Sequence, residues 1–334
     1  MKKLMLVGGT GCISGGIADL AVRSGRFELY VLNRGNRTDF ILPGTHCLTA
    51  DITDADEVRR KLGGLQFDVV ADFLSYEPGQ LERTLDLFRG CCNQFIFISS
   101  AAVYRTRSPD EIITEAGTMV GNTVWSYGRN KILCEKYLAE EHTRSDLKVT
   151  IVRPSFTYNQ LRLLYPVAPA HQTYSWTIAN RMLQGKPLPI HDDGQAFCTV
   201  THVSDFARGF LGLCANPDAY QEAFHITSDH YYTWRRLAEL IADALGVTAR
   251  LCPVPAHEIG FALGGDFGEK LIYFSHNAFL DSRKIRSVVP EFRCETRFEA
   301  GILQCIRFYA EHPAYQVIDT AFDRKLDELA AVFG

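Results

Sequence analysis

The sequence predicts an α/β fold built on a doubly wound parallel sheet, and three observations carry that prediction. Short apolar runs alternate with helical patterns over residues 1–155. The runs are continuously apolar rather than alternating, which suits strands covered on both faces. The first run ends in a glycine cluster that leads into a helical segment, a connection that lets the chain turn tightly.

The elements follow in order. Leu4-Met5-Leu6-Val7 reads as a buried strand ending at Gly8-Gly9, and Glu28 to Leu32 as a second. Cys47 to Ala50 is a weaker third, Asp68 to Phe73 a fourth, Phe95 to Ile98 a fifth and Val149 to Val152 a sixth. Helical segments lie between them. Ile17 to Arg23 follows the first strand. Leu81, Leu85 and Phe88 fall at i, i+4 and i+7 before the fifth, and Tyr127 to Glu141 precedes the sixth. Right-handed crossovers then place helices on both faces of the sheet, the Rossmann arrangement.

After Pro154 the pattern loosens. Residues 156–195 hold Pro166, Pro169, Pro187 and Pro189 among aromatics, and read as loop-rich. A helix is expected from Asp205 to Cys214. Another runs from Thr233 to Leu245, with Thr233 as N-cap and Gly246 as stop. Residues 251–334 read as α-rich. The expected organisation is a dinucleotide-binding Rossmann domain over 1–155 plus about 196–250. A smaller C-terminal substrate-binding domain is expected from about 156–195 and 251–334.

Bulk composition narrows the function. Of 334 residues, 46% are apolar and 22% charged, with a formal net charge of -4. That is ordinary globular composition, and no basic surplus or run advertises a nucleic-acid partner. No stretch of about 18 apolar residues predicts a membrane span. The run after Met1-Lys2-Lys3 is too short for a signal peptide. Ten cysteines are scattered without a C-x-x-C pair, so reduced core thiols in a cytoplasmic protein are expected and a zinc site is not. Asp192-Asp193-Gly194 reads as a turn, since no third carboxylate is near to make a metal site.

The chemistry is expected in two places. Gly8-Gly9-Thr10-Gly11-Cys12-Ile13-Ser14-Gly15-Gly16 lies between strand and helix, where backbone N–H groups can approach a pyrophosphate. After the second strand, Leu32-Asn33-Arg34-Gly35-Asn36-Arg37 lacks the carboxylate that grips a ribose 2′-hydroxyl and offers two guanidiniums. Arginine pairs well with phosphate, so NADP is expected over NAD. Asp51-Ile52 is open between an adenine contact and, for Asp51, the N-cap of a helix over 54–62. Further along, Tyr127 and Lys131 fall at i, i+4 on one helical face. A lysine beside a phenol lowers its pKa and makes it a usable acid/base. Ser100 ends the fifth strand, where it can bond the same substrate oxygen.

These pieces together resemble the extended short-chain dehydrogenase/reductases, in their NAD-dependent epimerase/dehydratase group. The matching residues are Gly8 to Ile13, Asp68-Val69-Val70, Ser99-Ser100-Ala101-Ala102-Val103-Tyr104, Tyr127 and Lys131 with Glu135, Arg153-Pro154-Ser155, and Thr201 to Asp205. They span residues 4–210 in the family's order. The resemblance implies Tyr127 as acid/base, Lys131 on the nicotinamide ribose and tuning Tyr127, and Ser100 orienting the reacting hydroxyl. It implies Gly8, Thr10, Gly11, Cys12 and Ile13 at the pyrophosphate, with Phe73, Leu74, Ser75, Ser99, Pro154 and Ser155 lining the cofactor. Two departures stand out: Ser14 replaces the family's last loop glycine, and Asn33-Arg34 replaces an acidic residue. Ala101 and Ala102 occupy positions where sugar 4,6-dehydratases carry acid/base groups, which disfavours that reaction.

Function is therefore expected to be epimerisation of a hydroxyl carbon on a sugar nucleotide or related sugar, through a keto intermediate. The alternative is an NADPH-dependent reductase or dehydrogenase, and a binding-only, RNA-associated relative is the third reading. Ser100, Ala101 and Tyr127 are expected at the substrate. Arg162, Arg181 and Lys270 are open between gripping a diphosphate and simple surface charge. Trp176, Tyr165 and Phe197 are open between nucleobase stacking and core filling. Asp205 or Ser204 is expected to cap the helix after His202. A homodimer through the helical segments at 80–91 and 127–141 is possible, with Phe88, Leu133 and Tyr137 as candidates.

Overall fold

The computed structural model describes residues 1–105, 108–117 and 124–334. Seven strands form one parallel sheet. In chain order they are β1 (Lys2–Val7), β2 (Phe27–Asn33), β3 (His46–Thr49), β4 (Phe67–Asp72), β5 (Cys92–Ile98), β7 (Lys148–Val152) and β11 (Glu222–Phe224). Their spatial order is β11-β7-β5-β4-β1-β2-β3. From β1 the chain winds outward to β2 and β3, then returns to β4 on its other side. That reversal is the topological switch point at which such sheets bind ligands.

The alternation along β1 shows why continuous apolar runs were needed. Leu4 and Leu6 enter the core on one face, and Met5 and Val7 enter the core on the other. The first face is covered by α1 (Cys12–Ser24), α6 (Val203–Leu213) and α10 (Arg283–Val288), through Ile17, Phe206 and Ile285. The second is covered by α2 (Ala55–Leu62), α3 (Pro78–Phe88) and α4 (Ser126–Arg144), through Val58, Leu81 and Leu138. Burying each such side chain contributes roughly 1.5–3 kcal/mol.

A second core gathers residues from Tyr158 to Leu329. It is framed by β8 (Phe156–Tyr158), α5 (Trp176–Leu183), β9 (Leu188–His191), β10 (Phe197–His202) and β12 (Tyr231–Thr233). It continues with α7 (Trp234–Leu245), β13 (Leu251–Val254), α8 (Ala256–Leu263), α9 (Phe267–Phe274), α11 (Phe298–Glu311) and α12 (Thr320–Phe333). β10 pairs parallel with β8 and antiparallel with β12, and β13 pairs with β9. A short pair, β6 (Ile112–Ile113) and β14 (Phe279–Leu280), ties the segment after β5 to the C-terminal region. The helix at 234–245 has the predicted caps: Thr233 accepts from the Arg236 N–H, and Gly246 sits at φ +72°. Its apolar face packs into the second core.

Several local readings are corrected. Asp54, not Asp51, caps the 55–62 helix by accepting from the Glu57 N–H. Asp51 instead closes its own turn on Thr53. His202 itself caps α6 through Nδ1, which accepts from the Ser204 N–H, so neither Ser204 nor Asp205 does so. Asp205 is fully buried and bonds Arg208 and the Thr296 N–H. Arg181 grips no ligand: it is buried with Asp323 and Asp327 at 2.9 and 2.7 Å. Trp176 and Tyr165 fill the second core. Phe88 is likewise core, whereas Leu133 exposes about half its surface on α4. No helix among the described residues is long and apolar enough to cross a membrane.

Candidate active site

The glycine turn is built by close approach. Gly8 follows β1 with φ +89°, a backbone state that side chains rarely adopt, and a Cβ there would meet Leu74 at 2.7 Å. At Gly16 a Cβ would meet Val203 at 2.3 Å, so this glycine lets α1 lie on α6. Ser14, the departure from the family's spelling, has a definite task. Its hydroxyl donates to the Gly8 carbonyl at 2.6 Å and accepts from the Gly11 N–H at 2.9 Å. Replacing Ser14 with Ala removes both bonds and leaves two backbone groups unpaired. The expected result is a loss of about 1–3 kcal/mol in denaturant titration together with weaker coenzyme binding. Unchanged stability and binding would show that the glycines hold the turn alone.

A cavity of about 1070 Å³ opens above the switch point, and every residue predicted for coenzyme or substrate lines it. It runs from Asn33, Arg34, Arg37, Asp51 and Ile52 at one end, past Gly8, Thr10, Gly11, Cys12 and Ile13, to Ser100, Ala101, Tyr127 and Lys131. Phe73, Leu74, Ser75, Ser99, Pro154, Ser155 and Arg162 complete the predicted set. The first turn of α1 carries no carboxylate, so its free N–H groups are open to an anion.

At the β2 end the polar groups are mostly donors. Asn33 Oδ1 accepts from the Gly35 N–H at 2.8 Å, and the buried Nδ2 has no partner among the described residues. Arg34, Arg37 and Arg83 line the same end. Arg83, from α3, was not predicted, because a lone arginine on an exposed helix face carries no sequence signal. The Thr53 bonds foremost, with the charges of Arg34 and Arg83, hold the Asp51 carboxyl below its ordinary range.

At the other end three elements converge. Tyr127 lies in the first turn of α4, and Ser100, two residues past β5, is near enough for its hydroxyl to act on the phenol. Contrary to the expectation that Lys131 lowers it, burial pushes the phenol up to about 12, while Ser100 and the charge of Arg162 pull it down. Lys131, one turn on, is 3% exposed and donates to the carbonyls of Ser75 and Ile98, both at 2.7 Å. It thereby pins α4 to the ends of β4 and β5 and retains one further N–H. Burial lowers its pKa to about 8, against the pull of the nearby Asp72 carboxylate. Asp72 shapes the wall behind it: one oxygen accepts from the N–H groups of Leu74 and Ser75, and the other has no partner among the described residues.

Behind Ser100 lies a buried network. Arg153 forks onto Glu135 at 2.6 and 3.0 Å, and Ser99 donates to the same carboxylate at 2.5 Å. The Ser99 hydroxyl is therefore committed to this network. Arg153 also donates to the Tyr104 hydroxyl at 2.6 Å, which in turn meets His225 Nε2 at 2.7 Å. His225 Nδ1 faces the Asp281 carbonyl, an acceptor only, so it carries the proton and Nε2 accepts from Tyr104. Burial holds His225 neutral, its pKa lowered to about 3.

The N-terminus of α4 is held from the second region. Glu269, on α9, accepts from the Ser126 N–H and hydroxyl at 2.8 and 2.7 Å. Trp125 donates to Asp266 at 2.9 Å, and its ring centroid lies 4.9 Å from that of Tyr127. Tyr273 donates to the Ala101 carbonyl at 2.9 Å. Trp125, Asp266, Lys270 and Tyr273 all line the cavity. Of these, only Lys270 was singled out from the sequence.

The sheet order, the glycine turn and the Ser100/Tyr127/Lys131 set define a class: an enzyme of the extended short-chain dehydrogenase/reductase type. The chain belongs to the NAD dependent epimerase/dehydratase family, whose sequence model it matches over residues 4–227. It is 26% identical over 259 residues to the chloroplast stem-loop binding protein of 41 kDa b of Arabidopsis thaliana, covering 73% of this chain but only 64% of that relative. It is 25% identical over 256 residues to the 2′-dehydrokanamycin reductase of Streptomyces kanamyceticus, covering 76% of this chain and 70% of the reductase. Among solved structures, it resembles the UDP-glucose 4-epimerase of Thermus thermophilus in complex with NAD. That likeness has a TM-score of 0.74 at 17% identity, covering 93% of this chain and 99% of the other.

Proposed function

We propose that the chain is an NADP-preferring epimerase that inverts a hydroxyl-bearing carbon of a sugar nucleotide or related sugar. The observation that carries this is the meeting of Ser100, Tyr127 and Lys131 in the same cavity as the glycine turn. The residues fit a dinucleotide: Gly8 and Gly11 line the cavity at the start of α1, and among the described residues the Asn33 amide is a buried donor without a partner. Gly8, Gly11 and the start of α1 would hold the pyrophosphate, and Lys131 the nicotinamide ribose. When bound, the nicotinamide supplies a reversible hydride acceptor.

The chain's own part is proton transfer. Tyr127 takes the proton of the reacting hydroxyl as its carbon is oxidised to the ketone, and Ser100 orients that oxygen. After the sugar turns over, the same phenol returns the proton as the carbon is reduced on its other face. Nothing is consumed overall. Ala101 and Ala102 offer no group for removing water, which separates this reading from dehydration.

The preference for NADP rests on donors. Arg34, Arg37, Arg83 and the Asn33 amide suit a 2′-phosphate, an acceptor with no proton demand of its own. A hydrogen bond to a charged group contributes about 1.5–3 kcal/mol, or roughly 10- to 100-fold in affinity. Arg34→Gln or Arg83→Gln is therefore expected to weaken NADP by that factor in calorimetric titration while NAD changes little. Equal losses for both coenzymes would contradict the assignment.

The same arginines, and the reductase among the relatives, favour a second reading: net reduction of a carbonyl by NADPH. Turnover separates the two. The epimerase interconverts UDP-glucose and UDP-galactose with catalytic coenzyme and no lasting change in reduced-nicotinamide absorbance. The reductase consumes one NADPH per carbonyl. Coenzyme binding without either activity on sugar nucleotides or simple carbonyls would overturn both.

A further inference from the structure

We infer that α9 sets the place of the reacting pair, with Glu269 and Tyr273 as positioning residues for Tyr127 and Ser100. This rests on the proposed roles of those two residues and adds what holds them. The observation is a set of bonds from one helix face to the chain on either side of the pair. Asp266 precedes α9, and Asp266, Glu269 and Tyr273 follow one another at i, i+3 and i+7, on one helical face. Asp266 accepts from the Trp125 indole N–H at 2.9 Å. Glu269 accepts from the N–H and hydroxyl of Ser126 at 2.8 and 2.7 Å. Tyr273 donates to the Ala101 carbonyl at 2.9 Å. Trp125 and Ser126 run directly into Tyr127, and Ala101 directly follows Ser100. One helix of the second region therefore grips both strands of chain that carry the reacting groups.

The grip has a local cause and a firm support. Trp125, at the N-cap of α4, makes no side-chain cap bond. First-turn N–H groups need acceptors from outside the helix, and Glu269 supplies one, a carboxylate at the positive end of the helix dipole. The opposite side of α9 is anchored. Phe267, Leu271 and Phe274 enter the second core, and a Cβ on Gly260 of α8 would meet the Gly268 Cα at 2.3 Å. The helix cannot slide without disturbing that packing. The coenzyme cradle is held differently. Lys131 bonds the carbonyls of Ser75 and Ile98, and the glycine turn closes on Ser14. Loosening α9 therefore displaces the phenol and the Ser100 hydroxyl and spares the coenzyme. Asp266, Lys270 and Tyr273 line the cavity, so a substrate resting there touches the helix that places Tyr127. Glu269 is not among the described residues that line it. A change at Glu269 thus reaches turnover through α4, not through a lost substrate contact.

Three variants test this. Glu269→Ala removes both bonds to Ser126, Glu269→Gln keeps an oxygen that can accept them, and Tyr273→Phe removes only a hydroxyl. In the interconversion of UDP-glucose and UDP-galactose, Glu269→Ala and Tyr273→Phe are each expected to lower kcat about 10- to 100-fold, the cost of a misplaced reacting group. NADP affinity stays unchanged, and Glu269→Gln recovers most of the loss. A merely structural role lowers melting temperature, NADP affinity and kcat together. That pattern overturns the inference, as does an unchanged kcat in Glu269→Ala or Tyr273→Phe, or a Glu269→Gln enzyme as slow as Glu269→Ala. If the wild-type protein turns over neither sugar nucleotide, the proposed function fails, and amide hydrogen exchange of the NADP-loaded protein decides the positioning by itself. Faster exchange over residues 125–131 in Glu269→Ala and over 100–104 in Tyr273→Phe, with residues 8–16 unchanged, upholds it. Exchange that is unchanged, or faster over all three segments alike, overturns it.

Discussion

Tyr127→Phe is expected to lower turnover by about 10²- to 10⁴-fold, the usual worth of a positioned acid/base, with coenzyme affinity nearly unchanged. The phenol lines the cavity beside Ser100, where it can carry a proton to and from a substrate oxygen. Phe keeps its ring contacts with Trp125 and Tyr76 and removes only the hydroxyl. The pH profile distinguishes this from a packing effect. Burial holds the phenol high and the Arg162 charge lowers it, so the base form grows with rising pH and the rate of alcohol oxidation rises with it. Removing the guanidinium in Arg162→Gln raises the phenol further, and the rising limb moves to higher pH. A Tyr127→Phe enzyme within a few-fold of wild type would end the acid/base assignment.

Glu135→Ala should produce the largest loss of stability, about 3–5 kcal/mol, the cost of breaking a buried pair and stranding its partner. Glu135 is 4% exposed and takes two bonds from Arg153 and one from Ser99. Without it, the Arg153 guanidinium is left buried among Tyr104 and the Glu115 carbonyl. Because Ser99 precedes Ser100 and Glu135 lies one turn beyond Lys131, the catalytic pair is expected to loosen as well. Urea unfolding followed by circular dichroism, beside activity at a temperature where the variant is folded, checks both effects. A loss below about 1 kcal/mol would mean that water or a neighbour replaces the carboxylate.

The inner strands were legible because they are largely buried on both sides, whereas the edges were not: β3 is mostly exposed and read only weakly, and β11, with Glu222 exposed, went unread. The glycine turn and the Tyr127/Lys131 spacing were legible because each concentrates its chemistry in a few adjacent residues. What escaped was assembled across distance. Arg83 reaches the coenzyme end from α3, and Glu269 bonds the start of α4 from 143 residues away. No local pattern marks either. Two caps lie a few residues from where the sequence offered them, Asp54 for Asp51 and His202 for Ser204 or Asp205, because several side chains within a few residues can reach the same N–H, whereas Thr233 and Gly246 cap α7 as read. Arg181 illustrates the other failure. Its partners lie on α12, so a cation that reads as a surface charge or a ligand grip in sequence is buried and ion-paired in the fold.

A crystal structure of the protein soaked with NADP and a sugar nucleotide tests the central claim most directly. The account predicts the pyrophosphate on the Gly8–Gly11 turn, the 2′-phosphate beside Arg34 and Arg83, and the Tyr127 hydroxyl about 2.6–3.2 Å from the reacting sugar oxygen. A coenzyme laid elsewhere, or a Tyr127 ring turned away from both nicotinamide and sugar, would contradict it.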